Sequence, residues 1–425
     1  NLSGADASGA VDVRLQRTVT GVRIEIQQDA DVPGYWRVDA ATNIAAWSPV
    51  GRVEVLNSNA VIELEAAVGA GGAQWFYRVV PDNSVANVLN LPGTPFNYAN
   101  IPLPAHLQTA AVTATDNTPT NNPVTDAGAA LGRVLSYDRG LSRNRTIACA
   151  SCHLQANGFS DPRPLSVGFE GGHTGRNSMG LANARFYQSG RFFWDERAAT
   201  LEDHVLRPIQ DGVEMGMDLV ALTNRLQGYQ YYRDLFTTTF GDDQVTSVRI
   251  SQALAQFVRS MLSFNSKFDQ GQANNFANFT AEEELGRQVF NSGRASCSRC
   301  HEGANLVGDQ MLNNGLEFPF VDLGEGGASG NVNDQGKFKM SSLRNIGKTA
   351  PYMHDGRFAT LEQVVDFYST NVVDNPNLSG RLRQNGAVRR PDFTAAEKAA
   401  LVAYLKTFTD DDFLTDPKFA SPFRD

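Results

Sequence analysis

Cys149-Ala-Ser-Cys152-His153 and Cys297-Ser-Arg-Cys300-His301 together hold all four cysteines of this 425-residue chain. Both stretches read C-x-x-C-H. In that pattern the two thiols form thioethers with the vinyl groups of a haem, and the adjoining histidine becomes the proximal ligand of its iron. A zinc site and a redox CxxC pair are the competing readings. A redox pair has no use for the following histidine, which is present twice. A four-cysteine zinc ribbon suits the spacing within each pair, but the wide gap between pairs and the two histidines count against it. Two covalently bound haem c groups are therefore expected, one on Cys149, Cys152 and His153, the other on Cys297, Cys300 and His301. Covalent attachment implies maturation outside the cytoplasm, hence a periplasmic, cell-surface or secreted protein. The chain opens at Asn1 with neither Met nor a basic-then-apolar leader, which fits a mature protein freed of its signal peptide or an expression fragment.

Around these motifs the sequence repeats itself. Leu131-Gly-Arg133 precedes the first CxxCH and Leu285-Gly-Arg287 precedes the second. Downstream, Trp194-Asp-Glu-Arg-Ala-Ala-Thr-Leu-Glu202 matches His354-Asp-Gly-Arg-Phe-Ala-Thr-Leu-Glu362 at an offset of 160, sharing Asp, Arg, Ala, Thr, Leu and Glu. Two haem-binding halves descended from one unit are the expectation. Their pattern is helical and punctuated by glycine, with capping boxes at Thr280-Ala-Glu-Glu283 and Thr394-Ala-Ala-Glu397.

Ahead of the repeat, residues 1 to about 92 read as β. Val22-Arg-Ile-Glu-Ile26, Val53-Glu-Val55, Val61-Ile-Glu-Leu-Glu65 and Trp75-Phe-Tyr-Arg-Val-Val80 are short, mostly alternating runs between Asn, Gly and Pro turns. The part from Trp47-Ser-Pro-Val to Phe76-Tyr-Arg-Val resembles the small fibronectin-like modules of secreted bacterial enzymes, and nothing in it looks catalytic. The stretch from Leu91-Pro-Gly-Thr-Pro95 through Pro102-Leu-Pro104 reads as a linker. Charged residues make up 20% and the net charge is -9. The absence of any long basic run argues against a nucleic-acid partner, and the mildly acidic surface suits a basic protein partner. No stretch approaches the roughly 18 apolar residues of a membrane span.

Taken together, the motifs from about residue 100 to 425 resemble the bacterial di-haem cytochrome c peroxidase family, including its MauG branch. The residues that carry the resemblance are the two CxxCH motifs, Arg176-Asn177, Phe193-Trp194-Asp195, Val213-Glu214-Met215 and Thr349-Ala-Pro-Tyr-Met-His-Asp-Gly356. It implies a mainly α fold of two cytochrome c-like haem domains related by internal duplication, behind a small all-β sandwich-like domain. The expected division is 1–92 for the β domain, 93–108 for the linker, 109–270 for the peroxidatic haem domain and 271–425 for the electron-transfer haem domain. By the same resemblance His153 and His301 are proximal iron ligands, Trp194 relays electrons between the haems, and Glu214 is the distal acid-base group. A calcium ion between the haems would take Asn177 and the carbonyls of Thr349 and Pro351, an all-oxygen set suited to a hard cation.

Three positions depart from the family pattern. The loop histidine that caps the resting peroxidatic iron in many members is Phe169 here, and His173, four residues on, reads as a surface-loop residue. The family glutamine ten residues before the distal glutamate is His204, which would add a proton-transfer group or bind iron itself. The methionine expected fourteen residues after His354 is Tyr368, as in MauG, and no Met follows Met353. A phenolate is a hard anionic donor that stabilises ferric and higher iron, whereas a thioether favours ferrous iron. The expected function is a hydrogen peroxide-dependent oxidase of a protein or other electron donor. Its N-terminal haem would be open and its C-terminal haem ligated by Tyr368. A conventional peroxide-detoxifying cytochrome c peroxidase and a non-catalytic electron-transfer cytochrome are the alternatives. The resemblance also admits a homodimer.

Overall fold

The structure, a computed structural model, describes all residues except 1, 6–10, 18–20, 29–33, 42–47, 56–58, 66–75, 82–83, 304, 309 and 425. Trp47 and Trp75, which bound the fibronectin-like stretch, lie outside the described residues. The N-terminal strands are β1 (Leu2–Ala5), β2 (Val11–Arg17), β3 (Gly21–Gln28), β4 (Gly34–Ala41), β5 (Ser48–Val55), β6 (Asn59–Glu65) and β7 (Phe76–Pro81). They pair antiparallel in two sheets, ordered β1-β2-β3-β6 and β5-β4-β7. Ile24 and Ile26 of the first sheet and Trp36 and Val38 of the second bury together in one apolar cluster. That shared burial is what a strand face of period two demands.

From residue 85 onward the described chain is mainly helical. The helix Asp126–Tyr137 packs along Ser247–Ser260, and Ala281–Asn291 packs along Ala395–Lys406. Threonine side chains open all four by accepting a backbone amide, Thr125 from Gly128, Thr246 from Arg249, Thr280 from Glu283 and Thr394 from Glu397. Such a cap stabilises a helix by about 1 kcal/mol. Glu283 and Glu397 bond back to the cap amides, so both capping boxes form as their spacing predicts. Each helix pair closes around a glycine. A side chain at Gly132 would strike the Ala253 carbonyl and lie 2.7 Å from Phe257 Cβ, and one at Gly286 would strike the Ala400 carbonyl and lie 2.7 Å from Tyr404 Cβ. The Leu-Gly-Arg triplets therefore recur because close helix contact leaves no room for a Cβ.

The second repeated stretch has matching backbone as well. Phe192 bridges to Ala198 and Tyr352 to Phe358, Phe193 and Met353 have φ of 70° and 75°, and Thr200 and Thr360 cap the following helices. The halves are joined by polar contacts of buried residues. Asn345 Nδ2 donates to Ser263 Oγ (3.0 Å), and Asn305 Nδ2 donates to the carbonyls of Asn183 (3.2 Å) and Phe186 (3.1 Å). The C-terminal segment returns to the first half, where Phe413, Leu414 and Phe419 share a core with Tyr98, Phe159 and Phe257. The proline-rich stretch is held there too, since Tyr98 donates to the Lys418 carbonyl at 2.7 Å and Leu89 pairs with Phe423.

Candidate active site

Each CxxCH forms a short 3-10 turn, Cys149–Ser151 and Cys297–Arg299, that leads its histidine into a cavity. In both turns the histidine amide donates to the carbonyl of the first cysteine, at 2.9 Å for His153 and 3.0 Å for His301. None of the four sulfurs is in a disulfide. Among the described residues no three His, Cys, Asp or Glu side chains converge on one point, as a closed zinc cage requires. Instead His153, Cys297, Cys300 and His301 line one cavity of about 830 Å3 that spans both halves. A second cavity of about 90 Å3 adjoins it and is lined by Cys149, Cys152 and His153.

Both motif histidines are neutral. His153 Nδ1 lies 2.8 Å from the Phe159 carbonyl, which accepts its proton and leaves Nε2 as the free donor atom. Burial lowers the pKa of His153 and pulls that of His301 to about 4, so both are neutral at pH 7. The Leu306 backbone acts on His301 in the opposite, smaller sense, although His301 Nδ1 has no well-formed hydrogen bond. Buried polar atoms without a partner cluster on the cavity wall. His204 Nδ1, Asn305 Oδ1, Ser341 Oγ and Arg389 Nε all belong to lining residues. A protein interior rarely leaves such groups unpaired, and the donors among them, Ser341 Oγ and Arg389 Nε, fit the anionic edge of a bound group that also has an apolar face, as a haem has.

Glu214 lines both cavities beside His153. Burial raises its carboxyl pKa to about 7, Asp211 adds to the rise, and Arg197 opposes it. His204 faces the same space from the helix Leu201–Gln210, with its ring 4.2 Å from that of Phe193. Burial drives its pKa to about 3, helped by His153, Lys339 and Arg197, so it is a neutral imidazole. Pro208 shares the cavity wall and offers no ligand atom. Phe169 is packed elsewhere. Its ring fills the space over Gly216, where any side chain would collide, and lies 5.1 Å from the Arg143 guanidinium. His173 is exposed at the rim, paired through its backbone with Val167.

Trp194 stands at the seam between the halves. Its indole Nε1 donates to the Asn177 carbonyl (2.8 Å), its own carbonyl accepts from the Lys339 amide (2.7 Å), and its ring meets His354 edge-on at 6.4 Å. Arg176 braces this seam by bridging Asp195 and Asp322, both at 2.7 Å. Asn177 bonds to the His354 carbonyl through its amide (2.7 Å) and donates Nδ2 to the carbonyls of Arg163 (3.0 Å) and Pro164 (3.2 Å). Thr349 and Pro351 line the same cavity.

Tyr368 also faces the cavity of His301, from a π-helical turn, Phe367–Asn371, that follows the helix Leu361–Asp366. Such turns insert a residue and re-aim side chains, and they recur at functional sites. Burial pushes the Tyr368 pKa to about 12. Asn314 Nδ2 reaches both Tyr368 Oη (3.4 Å) and Met353 Sδ (3.5 Å). Sequence reasoning had singled out neither Asn314 nor Lys339. Lys339 did leave a signal, a cation between the apolar Phe338 and Met340.

Two CxxCH turns opening on one cavity across a tryptophan seam define a di-haem c-type protein. The profile of the family described as di-haem cytochrome c peroxidase matches residues 126–276. The chain is 34% identical to the methylamine utilization protein MauG of Methylophilus methylotrophus over 292 residues, 68% of this chain and 84% of that one. It is 31% identical to the cytochrome c551 peroxidase of Nitrosomonas europaea over 298 residues, 69% of this chain and 82% of that one. A crystal structure of a MauG-like protein associated with microbial copper homeostasis matches with a TM-score of 0.67 at 33% identity, covering 76% of this chain and 99% of that one. The diheme peroxidase BthA of Burkholderia thailandensis shares the fold, with a TM-score of 0.57 at 20% identity over 81% of this chain and 98% of that one. The chain belongs to the di-haem cytochrome c peroxidase and MauG family. It is a peroxide-dependent oxidoreductase of that family, and two c-type haems are its cofactors.

Proposed function

We propose that this protein uses hydrogen peroxide to oxidise a protein or other electron donor, with an open N-terminal haem and a C-terminal haem ligated by Tyr368. The observation that carries this reading is the wall facing His153. Glu214 and His204 stand there, Phe169 is packed away over Gly216, and Pro208 has no ligand atom. When bound, the haem iron supplies the electrons that break the peroxide O–O bond. The protein's part is to move a proton. Glu214 Oε accepts it from one peroxide oxygen and returns it to the other, as a group with a pKa near neutrality does best. His204, neutral and unpaired at Nδ1, is the second proton-transfer group on the same wall. Trp194, bonded into both halves, carries electrons across the seam.

The residues fit the cofactors. Cys149, Cys152 and His153 hold one haem, and Cys297, Cys300 and His301 hold the other. The pyridine haemochrome assay is expected to give two haems c per chain that survive acid-acetone extraction, and a colourless zinc protein would end this reading. Electron paramagnetic resonance of the resting protein then reports both iron sites. High-spin iron at the first site is expected, and low-spin iron alone would make His204 or His173 its ligand.

Calcium at the seam is part of the same proposal. Asn177 spends Nδ2 on two carbonyls, which leaves Oδ1 as an acceptor, and Thr349 and Pro351 line the same cavity. Chelation is expected to slow electron exchange between the haems without releasing either. Unchanged exchange in protein shown to be metal-free would remove Asn177 from the site.

We assign residues 1–92 to a β-sandwich-like accessory domain, 93–108 to a linker, and 109–270 and 271–425 to haem domains that arose by duplication. The matched glycines, bridges and threonine caps support the duplication. Covalent haem attachment supports a periplasmic or exported location. No described helix is long and apolar enough to cross a membrane. A conventional cytochrome c peroxidase is the second reading, and one observation favours it: Asn314 holds Met353 Sδ as closely as Tyr368 Oη.

A further inference from the structure

Tyr187 is 3% exposed, lines the cavity shared by His153, Trp194 and His301, and has no part in the reaction derived above. Its hydroxyl donates to Glu196 Oε1, which also accepts from Ser189 Oγ at 3.2 Å. Lys339 joins this pair to the seam. Its Nζ lies 3.4 Å above the Tyr187 ring and donates to the Arg191 carbonyl at 3.1 Å, while its backbone amide bonds to the Trp194 carbonyl at 2.7 Å. Gln188 and Arg191, interspersed with Tyr187, Ser189 and Glu196 in the chain, are exposed, so the segment that carries the phenol reaches the surface.

We propose that Tyr187 is a redox relay: its phenol gives one electron to an oxidant formed in the cavity, and its proton passes to Glu196. A buried phenol that lost only an electron would become an unpaired cation in a low-dielectric site, which is costly. A carboxylate already accepting its hydrogen bond removes that cost. The O–H bond of Tyr187 breaks, an O–H bond forms on Glu196, the electron reduces the oxidant, and a neutral phenoxyl radical remains. An electron from a donor at the surface reverses both transfers. The Lys339 ammonium over the ring face draws on its π electrons and sets how hard the phenol is to oxidise. Burial brings the Lys339 pKa down to about 7, with Glu196 opposing, so this charge is weakly held.

The relay rests on the peroxide reaction proposed above, and one experiment separates the two. The holoprotein is mixed with hydrogen peroxide, frozen rapidly and examined by electron paramagnetic resonance, with haem absorption followed in parallel. An organic-radical signal is expected that narrows in protein labelled with ring-deuterated tyrosine and vanishes in Tyr187→Phe, whose resting haem spectrum is the control for folding. In Glu196→Gln the radical is expected to form about 100-fold more slowly, the scale of a lost positioned base. A signal insensitive to the label, a signal that persists in Tyr187→Phe, or an unchanged rate in Glu196→Gln would overturn the proposal. In a second arm a flash-generated ruthenium(III) oxidant replaces peroxide. If peroxide leaves the haem absorption unchanged but the flash yields the Tyr187 radical, the peroxide reading fails and the relay stands. If neither oxidant yields it, the relay fails.

Discussion

Replacing Glu214 by glutamine is expected to slow the reaction with hydrogen peroxide by about 100- to 10,000-fold, the range that positioned proton transfer contributes. Both haems should stay attached, because Glu214 lies on the cavity wall but belongs to neither CxxCH motif. Glutamine keeps the shape of the side chain and a polar end group but cannot take up a proton from peroxide. The pH profile supplies a second signature. Burial sets the Glu214 pKa near 7 against an ordinary 4.5, so the carboxylate needed as base is lost as pH falls through about 7. The wild-type rate should therefore rise across that range, and the glutamine variant should lack this limb. The stability effect has the opposite sign. A carboxyl whose folded pKa is raised stabilises the fold fully below its unfolded pKa, and that contribution is lost as pH rises through 7. Above pH 7 the variant should accordingly be at least as stable as the wild type while reacting far more slowly. Stopped-flow absorption across pH measures the rate, and a variant within a factor of two of wild type would remove Glu214 from the mechanism.

Substitution of Tyr368 is expected to move the C-terminal haem potential more than any other single change. Axial ligands tune haem potentials over about 0.8 V, and exchanging an anionic oxygen for a neutral thioether in Tyr368→Met should raise this one by on the order of 0.2 V. The variant should then behave as a conventional peroxidase that needs a reducing equivalent before it reacts with peroxide. Tyr368→Phe should leave the iron without its second axial ligand. The free phenol resists ionisation, since burial lifts its pKa to about 12. Ligation would therefore depend on the charge of the iron to release the proton. Asn314 Nδ2, at 3.4 Å from the oxygen, is placed to hold the anion. Spectroelectrochemical titration reads the shift, and magnetic circular dichroism reads the ligand. Thioether ligation in the wild type would sink the assignment and leave Met353 or Met340 as the ligand, both of which line this cavity.

The capping boxes at Thr280 and Thr394 and the glycines of the Leu-Gly-Arg triplets were legible in the residue order. Each is a local matter: a side chain reaching its own helix end, or a missing Cβ where two helices touch. Strands β3, β5, β6 and β7 were legible for the same reason, through their alternation. The alternation in β2 and the run Tyr35-Trp-Arg-Val38 in β4 carry a similar signal. Nothing in the order of residues reveals that β4 sits between β5 and β7, because strand order is a choice among distant partners. The same limit holds at the site. The motifs named Trp194, Glu214, His204 and Tyr368 one by one, without showing that they face one cavity. Only the tertiary structure turns Phe169 onto Gly216, aims Tyr368 from a π turn beside Asn314, and stacks Lys339 over Tyr187 at a seam between segments some 150 residues apart. Covalent and single-turn chemistry is encoded in neighbours along the chain. Burial, and with it the pKa of Glu214 and the cation over the Tyr187 ring, depends on which remote side chains displace water, and that is decided when the two halves close on each other.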